Sequence, residues 1–174
     1  MAPAAERQAT DTRGGRFRGW AWVDRPLSII AILLLVLLVG LTTVDVVARY
    51  WFDAPVDGAF ELTQMMLAGL IFAALPVTTA AGGHVDVELF TLALGPRVER
   101  LLLAFGDLVT ALVLGAIGWR LWVHADRLDG DGAVTNSLGI PFAPIGWFSA
   151  ICCGLSVVAA LLRLRARFGA GRHD

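Results

Sequence analysis

RYWFDAPVDGAFELTQMMLAGLIFAALPVTTAAGGHVD, residues 49 to 86, is the stretch whose reading decides the fold. It begins with an arginine and three aromatics at the end of one apolar run and crosses a short acidic turn to Glu61. A second apolar run follows and closes on Gly82, Gly83, His84, Val85 and Asp86. That second run, residues 60 to 81, is long enough to cross a hydrocarbon core of about 30 Å as a helix. The polar ends of the stretch therefore fall on opposite faces of a membrane and cannot form one catalytic pocket. Pro76 lies inside the run, where a missing backbone donor and a crowded preceding turn predict a kink or a loosened last turn. Met65 and Met66 read as packing residues.

The rest of the chain repeats this character. Upstream, LSIIAILLLVLLVGLTTV (27 to 44) is an uninterrupted apolar cylinder, and it sets a first span at 26 to 47 with Pro26 in its first turn. Downstream, apolar runs set a third span at 98 to 123 and a fourth at 144 to 164. The 174 residues are 57% hydrophobic with a mean hydropathy of +0.70, outside the range of soluble domains. No alternating pattern suggests a membrane barrel, and only helices satisfy their own backbone in lipid. The expected fold is an all-α integral membrane protein of four transmembrane helices. It divides into an N-terminal tail (1 to 25), a four-helix membrane domain (26 to 164) and a C-terminal tail (165 to 174). The first span is too long for a signal-peptide core and lacks a small-residue cleavage site, so it reads as a retained anchor.

Arginine placement sets the orientation. All fourteen basic residues are arginine. Arg7, Arg13, Arg16, Arg18 and Arg25 precede span one, Arg97 and Arg100 lie between spans two and three, and Arg163, Arg165, Arg167 and Arg172 end the chain. The other side carries Arg49, Arg120 and Arg127 among Asp53, Asp57, Asp126, Asp129 and Asp131. The positive-inside rule then makes both termini and the middle loop cytoplasmic. All six tryptophans fall at span ends, as interfacial anchors do. HVDVELFTLALG (84 to 95) is too short and charged to cross and reads as a helix lying in the cytoplasmic interface. DRLDGDGAVTNSLGIP (126 to 141) reads as an irregular outward connection.

Few residues offer chemistry. Asp45 and Arg49 are spaced as a helical ion pair; alternatively Arg49 reaches Glu61 and locks two helix ends together. Glu61 is also favoured by the helix dipole alone. Asp107 is the one acid deep in an apolar run, where a charge must face protein, water or a partner. It is either a relay member or a protonated, hydrogen-bonded packing residue. His84 and His124 fall on opposite faces and cannot ligate one haem. Asp126, Asp129 and Asp131 lack the spacing of a calcium loop. Cys152 and Cys153 read as small buried residues. Gly146, Ala150 and Gly154 form a small-residue stripe that lets another helix approach. No nucleophile and base pair, phosphate loop or zinc spacing supports an enzyme.

In order and spacing these residues resemble the small membrane subunit (Q-type) of tripartite ATP-independent periplasmic, or TRAP, transporters. The resemblance rests on Val47-Ala48-Arg49-Tyr50-Trp51-Phe52 ending the first span and the turn Pro55 through Glu61 opening the second. Ala80 to Gly83 with His84-Val85-Asp86 follows, and Ser137-Leu138-Gly139-Ile140-Pro141 approaches the last span. It covers roughly residues 27 to 164. Gly58-Ala59 departs from the tryptophan and further acid common in the family, and the segment from Pro141 to Trp147 is compressed.

What the resemblance implies is a non-enzymatic scaffold in the bacterial inner membrane. The partners it implies are the lipid bilayer, a large multi-span permease subunit and a periplasmic solute-binding protein, with no nucleic acid. The large subunit would hold the sodium and substrate sites and move as an elevator, taking up an organic acid or similar solute, and this chain would carry no cofactor of its own. By the same analogy Arg49 and Glu61 organise the outer end, and His84 and Asp86 fix the interfacial helix. Two other classes remain open on the residues alone: a membrane anchor of a respiratory redox complex, and an autonomous small channel or exporter.

Overall fold

The computed structural model describes residues 21–81 and 96–169. They form four helices: α1 (Ala21–Phe52), α2 (Ala59–Ala81), α3 (Pro96–Gly130) and α4 (Ala143–Gly169). Each is long and apolar enough to cross a membrane. The all-helical, four-span expectation is met. Residues 1–20 and 170–174 of the tails and the proposed interfacial helix at 84 to 95, with His84 and Asp86, lie outside the described residues, while residues 21–25 and 165–169 continue α1 and α4.

Several helices run past the expected spans. At about 1.5 Å per residue, the 32 residues of α1 and the 35 of α3 reach well beyond a hydrocarbon core of about 30 Å. Helix α1 starts at Ala21, ahead of Pro26, because proline's fixed φ is already helical and only one backbone bond is lost so near the start. Helix α3 continues through Asp126 to Gly130, since nothing before Gly130 breaks it. It ends where Gly132 takes a left-handed φ of 62°. There Gly132 N donates to Asp129 O and Ala133 N to Leu128 O, the paired bonds of a Schellman cap.

Proline inside α2 leaves the helix continuous. Pro76 is fully buried, and the hydroxyls of Thr78 and Thr79 just beyond it donate to the carbonyls of Ala74 and Leu75, at 2.9 and 2.8 Å. Ser149, Ser156, Thr42 and Thr43 likewise donate to carbonyls of the preceding turn, which hides their polarity where no water is available.

The main interfaces run α1 to α2, α2 to α4, and α4 to α3. Small residues set how closely the helices pack, because lipid offers no hydrophobic drive for helix association. Gly69 of α2 receives Leu34 of α1, and Gly118 of α3 faces Cys153 of α4. A central cluster joins Leu27, Ala73 and Cys152, with Phe72, Val77, Phe148 and Leu155 around it. Cys152 and Cys153 are free and buried. Helix α1 is exposed along most of its length, with Ile32 and Val36 each more than 60% accessible. Such apolar surface suits lipid or a partner helix.

A β-carbon on Gly146 would meet the Ala125 β-carbon at 2.7 Å, whereas one on Gly154 meets nothing within 4 Å. Gly146→Leu is therefore expected to destabilise the purified chain by about 1–3 kcal/mol through forced separation of α3 and α4. Gly154→Leu should leave the thermal midpoint unchanged. Equal midpoints for the two variants would refute this packing.

Candidate functional site

Polar side chains gather at two levels of the bundle, one beside the loops at residues 53–58 and 131–142, the other near the opposite end. The first begins with Asp45. Its Oδ2 accepts from Arg49 at 2.8 Å one helical turn away, and its Oδ1 accepts from Val56 N at 2.9 Å across the connection to α2. With Arg49 58% exposed, the ion pair itself adds little stability. The larger effect is geometric: one carboxylate closes the α1–α2 turn. Asp53 assists by adopting φ 51°, a left-handed conformation that aspartate tolerates better than most residues, and Ala54 N reaches back to Ala48 O.

Glu61 turns the other way. Its two carboxylate oxygens accept from the backbone N–H groups of Ser137 and Leu138, at 2.7 and 3.2 Å. This binds the start of α2 to a loop more than seventy residues away in sequence. Gly58, at φ 74°, lies directly under Leu138; a β-carbon there would fall 2.5 Å from the leucine side chain. Glycine is thus required at position 58 on two counts, which gives a local reason for the departure Gly58-Ala59. The alternative contact from Arg49 to Glu61 is not formed, because each residue is engaged elsewhere.

The loop that Glu61 holds is ordered, contrary to the irregular connection expected from its glycine and aspartate content. Val134 and Pro141 pair as an antiparallel bridge. Thr135 N donates to Ile140 O, Thr135 Oγ1 accepts from Ile140 N, and Gly139 N donates to Thr135 O. Thr135 is buried, and Gly139 supplies a φ of 66°. Gly139 and the Thr135 hydroxyl close this miniature hairpin, and Ser137 and Leu138 are left to present their amides to Glu61.

At the other level, Asp107 is buried on α3, with Arg163 of α4 beside it: Nε lies 3.8 Å from Oδ1. Arg163 Nη1 also donates to Thr79 O at 2.8 Å in the last turn of α2, where helix carbonyls lack intrahelical donors. One guanidinium therefore joins three helices, by an ion pair to Asp107 and a hydrogen bond to Thr79 O. The sequence places Arg163 among the arginines that set orientation, and its register with Asp107 is not visible there. The available signal was its place inside the apolar run LLRL, residues 161 to 164.

The small-residue stripe divides. Gly146 and Ala150 pack within the chain against α3, and Gly154 is exposed beside a groove of about 340 Å³ walled by Leu114, Trp119 and Trp122. Among the described residues no group of histidine, cysteine, aspartate and glutamate could hold a metal ion. His124 is exposed. Both polar clusters are occupied by internal bonds, so what they accomplish is attachment of helix to helix and helix to loop.

The chain matches the model of the family described as Tripartite ATP-independent periplasmic transporters, DctQ component, over residues 38–169. That range takes in the hairpin turn, both polar levels and three complete helices. No curated protein matches the sequence.

Two measurements check this geometry. Glu61→Ala should speed hydrogen exchange at the amides of Ser137 and Leu138 while α3 stays protected; unchanged exchange there would remove Glu61 as the anchor. Asp107→Leu and Arg163→Leu should each cost about 3–5 kcal/mol by stranding a buried charge. The double replacement should cost less than either, and additive losses in unfolding of the purified chain would contradict the pair.

Proposed function

Because the chain belongs to the DctQ-component family of tripartite transporters over residues 38–169, we propose that it is the immobile scaffold of a solute-uptake system. The family is one of transporter components and not of enzymes, and four membrane-capable helices make the chain a multi-pass membrane protein with a role in transport. The finer reading is that it pairs with a large multi-span permease subunit in the bacterial inner membrane. That subunit holds the sodium and substrate sites, and a periplasmic binding protein delivers an organic acid or similar solute. This chain then carries no cofactor, and both its termini and its middle loop face the cytoplasm, as the arginine distribution supports.

The observation that carries the scaffold reading is the combination of family membership with polar groups turned inward. Asp45, Glu61, Asp107 and Arg163 hold the chain's own backbone or each other. The surface left over is apolar helix, above all α1 and the outward face of α3. A static component needs internal ties and a broad lipid-depth surface, and needs no solute site.

Affinity capture of the tagged chain from native membranes should recover a large multi-span protein encoded with it. Sodium-dependent uptake should require that protein and a binding protein together. Uptake by this chain alone in liposomes would overturn the proposal. Glu61→Ala and His84→Ala should lower the yield of the captured complex while leaving transport affinity for solute as it was. Unchanged yield with a shifted affinity would place these residues near substrate and sink the scaffold reading.

A further inference from the structure

The main helix contacts run from α1 to α2, from α2 to α4 and from α4 to α3, so the four helices form an open row with α1 and α3 at its edges. Helix α3 turns Asp107, Ala111, Leu114 and Ala125, all buried, toward α4. On its opposite side, at helical spacings of three and four, stand Val109, Val113, Ile117, Arg120, His124 and Arg127, every one of them exposed.

This strip changes character along its length. Its first three residues are apolar, and its last three are two arginines and a histidine. Trp119 and Trp122, both more than half exposed, mark the interface at which the change occurs. None of Arg120, His124 and Arg127 forms an ion pair among the described residues. Asp126 and Asp129 lie on other faces of α3 in the helical register, so the strip itself carries only basic groups.

Arg127 stands about 10 Å beyond Arg120 along the helix, past a headgroup layer of about 5–7 Å. A phospholipid with its phosphate at Arg120 would cover the apolar half of the strip and fall short of Arg127. A protein helix continues through the interface and covers both halves.

From this placement we propose that the free edge of α3 docks a membrane-spanning helix of another chain, apolar at bilayer depth and carrying carboxylates where it emerges beside Arg120 and Arg127. The carboxylates set register and exclude helices that lack them, a selection that apolar contact in lipid does not provide. On α1, the other edge, Arg49 is already paired with Asp45, and the apolar face beneath it carries no charge that selects an occupant. That the docked chain is the large permease subunit rests on the scaffold reading; the choice of face does not.

Photocrosslinking of the full chain in native membranes tests the face. A benzophenone amino acid at Val113 or Ile117 should give a protein adduct that mass spectrometry maps to a membrane helix ending in aspartate or glutamate. Arg120→Glu combined with Arg127→Glu, at two exposed positions, should leave helical circular dichroism unchanged and lower the adduct by about tenfold. Replacing the carboxylates of the crosslinked helix by arginine should restore it. Adducts with lipid alone, an adduct helix without carboxylates, or full adduct yield from the charge-reversed variant overturns the proposal. An acidic helix from a protein other than a multi-span permease upholds the docking face and overturns the scaffold reading. Affinity capture of that permease with positions 113 and 117 silent to crosslinking overturns the docking face and leaves the scaffold reading in place.

Discussion

Where no water reaches, a polar group must be satisfied inside the protein, and in this chain that requirement falls hardest on Asp107 and Arg163. Neither tolerates lipid alone: the penalty for a lone charge at depth is several kcal/mol, with estimates reaching much higher. Paired, they neutralise one another, and the guanidinium has donors left for the end of α2. The arrangement of α2, α3 and α4 at that level depends on this contact, because exchanging any one helix for lipid would expose a charge or an unsatisfied carbonyl. Apolar packing has no comparable power to choose, since lipid tails are as good a neighbour for leucine as another helix is.

The same constraint explains how the other level is built. Backbone amides in the two connections need acceptors, and two carboxylates supply them: Asp45 for Val56, Glu61 for Ser137 and Leu138. Glu61 lies in the first turn of α2, whereas Asp45 reaches from within α1 to the connection that follows it. Between these levels the helices approach through glycine and alanine, and the threonines and serines bond their own helix. The polarity of the described part is thus spent largely on internal attachment.

Attachment of this kind makes a stiff body with a large apolar exterior. Helix α1 rests mainly on α2 and shows most of its length to its surroundings, while α3 shows a rim of leucine and phenylalanine. These surfaces differ in character. The first is smooth and uncharged, suited to long contact with another helix. The second is an apolar slot floored by Ala104.

By itself the sequence determined the number of helices, their approximate limits and their character, because apolar length and tryptophan placement are local properties that the bilayer reads directly. It also identified Glu61, Asp107 and the turn Pro55 to Glu61 as exceptional, since polar residues at span ends or within apolar runs stand out without any knowledge of neighbours. What tertiary structure alone decided was the partner of each. Arg49 chose Asp45 over Glu61, Glu61 took amides from a loop remote in sequence, and Arg163 left the orientation-setting set to join Asp107. Those outcomes depend on which helices are adjacent and in what register. With period 3.6, an apolar helix in lipid presents many nearly equivalent faces, and the contact of Arg163 with Asp107 and Thr79, together with the close approach of Gly118 and Gly146 to particular neighbours, selects one.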